Sequence, residues 1–153
     1  MRGKLIIAIA VGLLATTIAA ADTIYIKAGA LFDSRSGRVS RDAVIVVEGE
    51  KITAVGGSEL SIPAGAEVID LSESFVLPGV MDMHTHVVGN LDTYFFAGYF
   101  QSPHRATIGG VVNTEKTLLA GFTTIRNVGA PDYADVAIRN AINDGEIPGP
   151  VSY

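Results

Sequence analysis

His84 and His86 are the side chains in this sequence best spaced to do chemistry. Alternate residues of a β-strand share one face, so His-x-His can turn two imidazoles toward a single divalent cation. A cation with open coordination positions can activate water against a carbonyl that it also polarises, which is hydrolytic chemistry. Asp82 lies two residues before His84 and, on a regular strand, on the same face. It reads as a carboxylate that orients the ligands or steadies the strand from behind. Two histidines do not complete such a site, because a catalytic zinc usually takes three protein ligands and a water. By itself the His-x-His spacing also suits surface or core histidines, so its meaning depends on the elements around it.

The apolar run Phe75, Val76, Leu77, Val80, Met81 and Met83 leads into the pair. It predicts a buried strand from Val80 to His86 whose C-terminal end presents the histidines, the place where parallel α/β folds hold their ligands. Downstream, a helix is expected from about Thr107 to Ala120, with Val111, Val112, Leu118 and Leu119 on its apolar side and Gly121 as its stop. Phe122–Val128 reads as a strand and Tyr133–Asn143 as a second helix ended by Asp144-Gly145, after which Pro148-Gly149-Pro150 opens a further element. Strand, helix, strand, helix is the start of a parallel sheet. Between the histidines and the first helix, Val87–Arg105 reads as a long loop carrying Tyr94, Phe95, Phe96, Tyr99 and Phe100. Such a loop walls a pocket or packs on the rim of the fold. His104, placed in it, is a candidate pocket residue.

Upstream, Asp22–Leu77 reads as a small β module. Thr23–Ile26, Ala43–Val47, Ile52–Val55 and Glu67–Leu71 are short strands, and Glu48-Gly49-Glu50-Lys51 closes a hairpin between the second and third.

Met1–Ala21 has the layout of a secretory signal peptide: Arg2 and Lys4, an apolar stretch from Leu5 to about Ala15, then Ala19 and Ala21 before a cleavage point. Its apolar core is shorter than the roughly 20 residues of a spanning helix, so a cleaved leader is favoured over a membrane anchor. The net charge of −5 would become about −7 once Arg2 and Lys4 leave, and the mean hydropathy of +0.38 owes much to the leader. No Lys/Arg cluster appears, which argues against a nucleic-acid partner. The chain has no cysteine, so disulfides and thiolate ligands are excluded and any metal is held by nitrogen and oxygen. A periplasmic or secreted, acidic protein without a stable membrane anchor is expected.

The run Pro78-Gly79-Val80-Met81-Asp82-Met83-His84-Thr85-His86 resembles the strand 1 signature of the amidohydrolase superfamily. Ala30-Leu31-Phe32-Asp33, the hairpin Val47–Gly56 and Ala120–Gly129 are similar to its imidazolonepropionase-like branch, which includes secreted Xaa-Pro dipeptidase-like enzymes. The resemblance implies a small β-sandwich domain preceding the start of a (β/α)8 TIM barrel. The domains would be a signal peptide over 1–21, part of the sandwich over 22–77, and two βα units of the barrel over 78–153. His84 and His86 would be the first two metal ligands and Asp82 a supporting carboxylate. The remaining ligands and catalytic groups of the family lie on later strands, beyond residue 153. Relatives commonly carry aspartate where this chain has Asn127, so a charge contact near the second strand would be altered.

A complete barrel needs about 250 residues, far more than follow Leu77, so the chain is expected to be the N-terminal fragment of a longer enzyme. That enzyme would be a metal-dependent hydrolase of a C–N bond, with one or two divalent ions, zinc favoured, and a small molecule, dipeptide or N-acyl amino acid as substrate. It is compatible with a homo-oligomer. The alternatives are a mononuclear deaminase or cyclic-imide hydrolase on the same scaffold, and a non-catalytic exported fragment.

Overall fold

A computed structural model of the chain describes residues 22–89 and 101–153. The leader expected at 1–21 and the aromatic residues at 94–100 lie outside the described residues. Two compact units divide the chain, one of residues up to 30 with 41–74, the other of 31–40 with 75–153.

Four strands, β1 (Thr23–Asp33), β2 (Arg38–Glu48), β3 (Lys51–Gly56) and β4 (Glu67–Val76), form a sheet in the order β3-β2-β1-β4. The expected hairpin is present: β2 pairs antiparallel with β3 from Val44↔Gly56 to Glu48↔Lys51, with a bulge between Val46 and Val47. Its two-residue connection, Gly49-Glu50, begins with Gly49 at φ +58°, a conformation that costs glycine little. Ala43, Val44, Ile45 and Val46 are all buried, so β2, between two partners, is covered on both faces. All of these strands run longer than their apolar runs suggested, β3 by only one residue at each end. The ladders on either side carry the backbone through polar stretches that have little strand propensity of their own. One consequence is that Phe75 and Val76 end β4 and do not belong to the strand that carries the histidines.

The second unit is built from β5 (Val80–Thr85), α1 (Pro103–Leu119), β6 (Phe122–Asn127), α2 (Ala134–Asn143) and β7 (Val151–Ser152). Its strands are parallel and ordered β5-β6-β7, each beside its predecessor in the chain. That sequential order is how a singly wound barrel begins. The proline-rich segment after α2 therefore leads into a third strand.

α1 begins earlier than expected, and Pro103, His104 and Arg105 are helical where a loop was anticipated. The reason is local: the Ser102 hydroxyl accepts the Arg105 backbone N–H at 3.3 Å and Pro103 occupies the first turn. At the other end Gly121, at φ +93°, stops the helix as anticipated. α2 starts one residue later than expected, because Asp132 and Tyr133 both take left-handed conformations in a short turn opened by Pro131.

The core of this unit is a cluster of Val87, Val88, Ala106, Ile125, Ala134 and Ile138, with Val111, Phe122 and Ile142 packed against it. Ile125 is fully buried at the centre of β6. α1 and α2 meet at Gly110, where any Cβ would collide with the Ile138 side chain. The anticipated burial of the histidine strand is not observed. Val80, Met81 and Met83 are 43%, 67% and 48% exposed. β5 is an edge strand with a neighbour on one side only, so its apolar pattern describes a setting that this sheet does not supply.

Candidate metal centre

β5 carries Asp82 and His84, and His86 follows immediately after its last residue. The parallel pairing with β6 is irregular here: Asp82 aligns with Ile125 and Thr85 with Asn127, with a register shift between. Asp82 exploits the irregularity, its Oδ1 accepting the backbone N–H of His84 at 3.0 Å. The carboxylate thus fixes the peptide that precedes the first imidazole. Arg126 Nε donates to the Met83 carbonyl at 2.8 Å, and Thr85 Oγ1 donates to the Arg126 carbonyl at 3.2 Å. Together these bonds tie the last turn of β5 to β6.

Both histidines are exposed, and their rings stand 5.6 Å apart between centroids at 65° to one another. With a metal–nitrogen bond of about 2.1 Å, and roughly 1.1 Å more to the ring centre, two imidazoles on one tetrahedral ion have centroids on the order of 5 Å apart. The observed spacing fits a shared ion with little adjustment, and nitrogen donors in a cysteine-free chain suit zinc or a similar divalent metal.

His86 is the more heavily supported of the two. Its Nδ1 faces the Gly129 carbonyl at 3.4 Å, at the long end of hydrogen-bond range. The next peptide is held from both sides: the Val87 N–H donates to Asn127 Oδ1 at 3.0 Å, and the Val87 carbonyl accepts Asn113 Nδ2 at 2.8 Å. Asn113 Nδ2 also reaches the Gly89 carbonyl at 2.9 Å. Asn127 Nδ2 donates to the Gly129 carbonyl at 3.2 Å and to Asp135 Oδ2 at 2.9 Å. Where a charge contact was expected to be altered, the contact is therefore an amide meeting the Asp135 carboxylate.

His104 lies in the first turn of α1, exposed. Among the described residues no three His, Cys, Asp or Glu side chains are grouped to hold an ion, so His84 and His86 stand as a pair. Among the described residues, the carboxylates held below their ordinary range are Asp33 at the end of β1, Glu59 in a turn and Asp70 in β4. Asp33 is lowered first by the Ser36 hydroxyl, Glu59 by the Gly57 backbone N–H, and Asp70 by Ser72. In the sequence Asn127 stands out only as a departure from the family pattern, and nothing marks Asn113, Gly129 or Asp135 as partners of this site beyond the one hint of an amide midway along the apolar side of α1.

A profile of the amidohydrolase family matches residues 75–151, just over half of the chain. The chain belongs to the amidohydrolase family. Members of this family are generally metal-dependent, and the relatives are hydrolases of C–N bonds. An allantoinase from Streptomyces avermitilis is 34% identical over 92 residues, 58% of this chain and 20% of that protein. An imidazolonepropionase from an Arthrobacter species is 41% identical over 51 residues, 33% of this chain and 12% of that one. Among solved structures, an Xaa-Pro dipeptidase with methionine bound in its active site superposes with a TM-score of 0.75 and 30% identity over 86% of this chain and 32% of that chain. The chain thus spans about a third of the length of that amidohydrolase. The branch suggested by the segments flanking the strand 1 motif and the mixed α/β fold both agree with these relatives.

Proposed function

We propose that this chain is the N-terminal part of an exported, metal-dependent amidohydrolase that cleaves a C–N bond in a small substrate, with a dipeptide or N-acyl amino acid favoured. The observation that carries the reading is the pair His84 and His86 at the end of β5, with rings 5.6 Å apart, in a chain similar over most of its length to an Xaa-Pro dipeptidase. In this reading the two imidazoles hold a divalent ion, zinc favoured, from the C-terminal end of the first barrel strand. The ion supplies Lewis-acid polarisation of the substrate carbonyl and a water activated near neutral pH. Asp82 holds the His84 peptide in place, and Asn127 and Asn113 hold the peptide after His86. Further ligands and the general acid or base come from later strands of the whole enzyme, since two histidines leave a catalytic ion short of protein donors. Whether one ion or two are bound follows from those later residues. Met1–Ala21 directs export to the periplasm or beyond and is removed before Asp22. Scattered basic residues without a Lys/Arg cluster and a net charge of −5 suit a small-molecule enzyme and not a nucleic-acid binder.

A second reading, an allantoinase-like hydrolase of a cyclic substrate, draws support from the 34% identity to the allantoinase. Assay of the whole enzyme with matched panels of Xaa-Pro and N-acyl dipeptides and of cyclic imides separates the two. The first reading expects hydrolysis of the linear panel, abolished by chelator and restored by zinc. Turnover confined to cyclic substrates would replace it, and chelator-resistant turnover would overturn the metal reading.

A further inference from the structure

Nothing in a His-x-His motif says which nitrogen of each ring faces the ion, yet a neutral imidazole offers a lone pair at only one of its two nitrogens. The contact of His86 with the chain after β6 bears on this choice. Its Nδ1 faces a carbonyl, that of Gly129, which can only accept. The tautomer that satisfies the contact carries hydrogen on Nδ1 and the lone pair on Nε2.

The Gly129 carbonyl is itself held. Asn127 Nδ2 donates to it at 3.2 Å and to Asp135 Oδ2 at 2.9 Å, while Asn127 Oδ1 accepts the Val87 N–H at 3.0 Å. The partners fix the orientation of the amide without ambiguity: two acceptors on one side require its NH2, and a donor on the other requires its oxygen. One side chain therefore grips both the peptide that follows His86 and the carbonyl that its ring faces. Asp135 is anchored in turn, its Oδ1 accepting the Val136 N–H at 2.9 Å in the first turn of α2. Two independent features of the sequence meet at this point. A carboxylate at 127 could not donate to Gly129, and it would stand against the Asp135 carboxylate. The amide at 127 and the acid at 135 are matched to one another.

We propose that Asn127, backed by Asp135, is a positioning residue that sets the His86 tautomer through the Gly129 carbonyl and so presents Nε2 to a divalent cation. The proposal rests on the reading of His84 and His86 as a ligand pair for its purpose, but not for its test. Ligand-orienting contacts of this kind are typically worth 10–100-fold in metal affinity.

The test compares the full chain with Asn127→Ala, Asn127→Asp and the double variant Asn127→Asp/Asp135→Asn. Long-range proton–nitrogen correlation spectra of the metal-free protein report which ring nitrogen of each histidine carries hydrogen. The expected result is an Nδ1–H His86 in the parent and a mixed or Nε2–H His86 in both single variants, with His84 unchanged throughout. The double variant restores an amide–carboxylate pair between β6 and α2 and keeps an acceptor for Val87. It should recover part of the Nδ1–H population and most of the thermal stability lost in Asn127→Asp. Zinc titration should then show about 10-fold or greater weakening in Asn127→Ala. An unchanged His86 tautomer in the folded single variants would overturn the proposal, and so would an equal change at His84, which marks general loosening. If Asn127→Ala fails to fold, Asn127→Asp and its double variant decide by the same spectra. A parent that takes up no zinc would remove the metal reading alone and leave the tautomer result to stand or fall by itself.

Discussion

The two histidines sit two residues apart and are held in different ways. The peptide before His84 is held at its N–H by the Asp82 carboxylate two residues away, with one long-range bond, from Arg126 of β6, at its carbonyl. His86 is steadied from a distance, by contacts spanning 26 residues to Asn113, 40 to Asn127 and 43 to Gly129. The Asp82 contact exists as soon as β5 forms and the Arg126 bond once β6 is beside it, whereas the supports of His86 exist only when α1, β6 and the turn before α2 have all packed. A pair of ligands thus joins a local element to the tertiary fold, and the geometry of an ion between them depends on both.

This contrast can be broken by removing one support at a time. The largest effect is expected at Ile125, fully buried at the centre of β6 and clustered with Val87 and Val88. Ile125→Ala should cost about 2–5 kcal/mol, read by chemical denaturation. It should broaden the His86 resonances more than those of His84, because the cluster includes the residues that follow His86. Equal broadening at both would mean that the two supports are not separate. A smaller effect is expected from the polar contacts, compared as a pair. Asn113→Ala leaves two carbonyls without their donor and should cost about 1–3 kcal/mol, while Asp82→Ala, at an edge strand, should cost about 0.5–1.5 kcal/mol. The reverse order would show that the local turn, and not the distant amides, governs the end of β5.

The same contrast explains what was legible in the sequence. Features decided within a few residues could be read: the His-x-His spacing, the Gly49 turn, the Gly121 stop and the alternation of strands and helices from Val80 onward. The start of α1 at Ser102-Pro103 was equally local, but it was hidden by an aromatic-rich stretch that reads as loop. The clamp on Val87 could not be read, because Asn127, a departure from the family pattern, and Asn113, an amide on the apolar side of α1, acquire that role only from partners far along the chain. The burial of β5 was misjudged for a related reason. Its apolar residues match those of β2, and whether such a strand is covered depends on its neighbours: β2 lies between two strands, and β5 has one.

The central claim is that His84 and His86 hold one divalent ion together. Titration of the full chain with cobalt, followed by its visible absorption and repeated by calorimetry with zinc, tests it directly. The parent should bind one ion. His84→Ala and His86→Ala should each lose about 100-fold or more in affinity, about 2.7 kcal/mol, with the double variant scarcely worse than either. Uptake by both single variants with the parent's affinity and spectrum would contradict it.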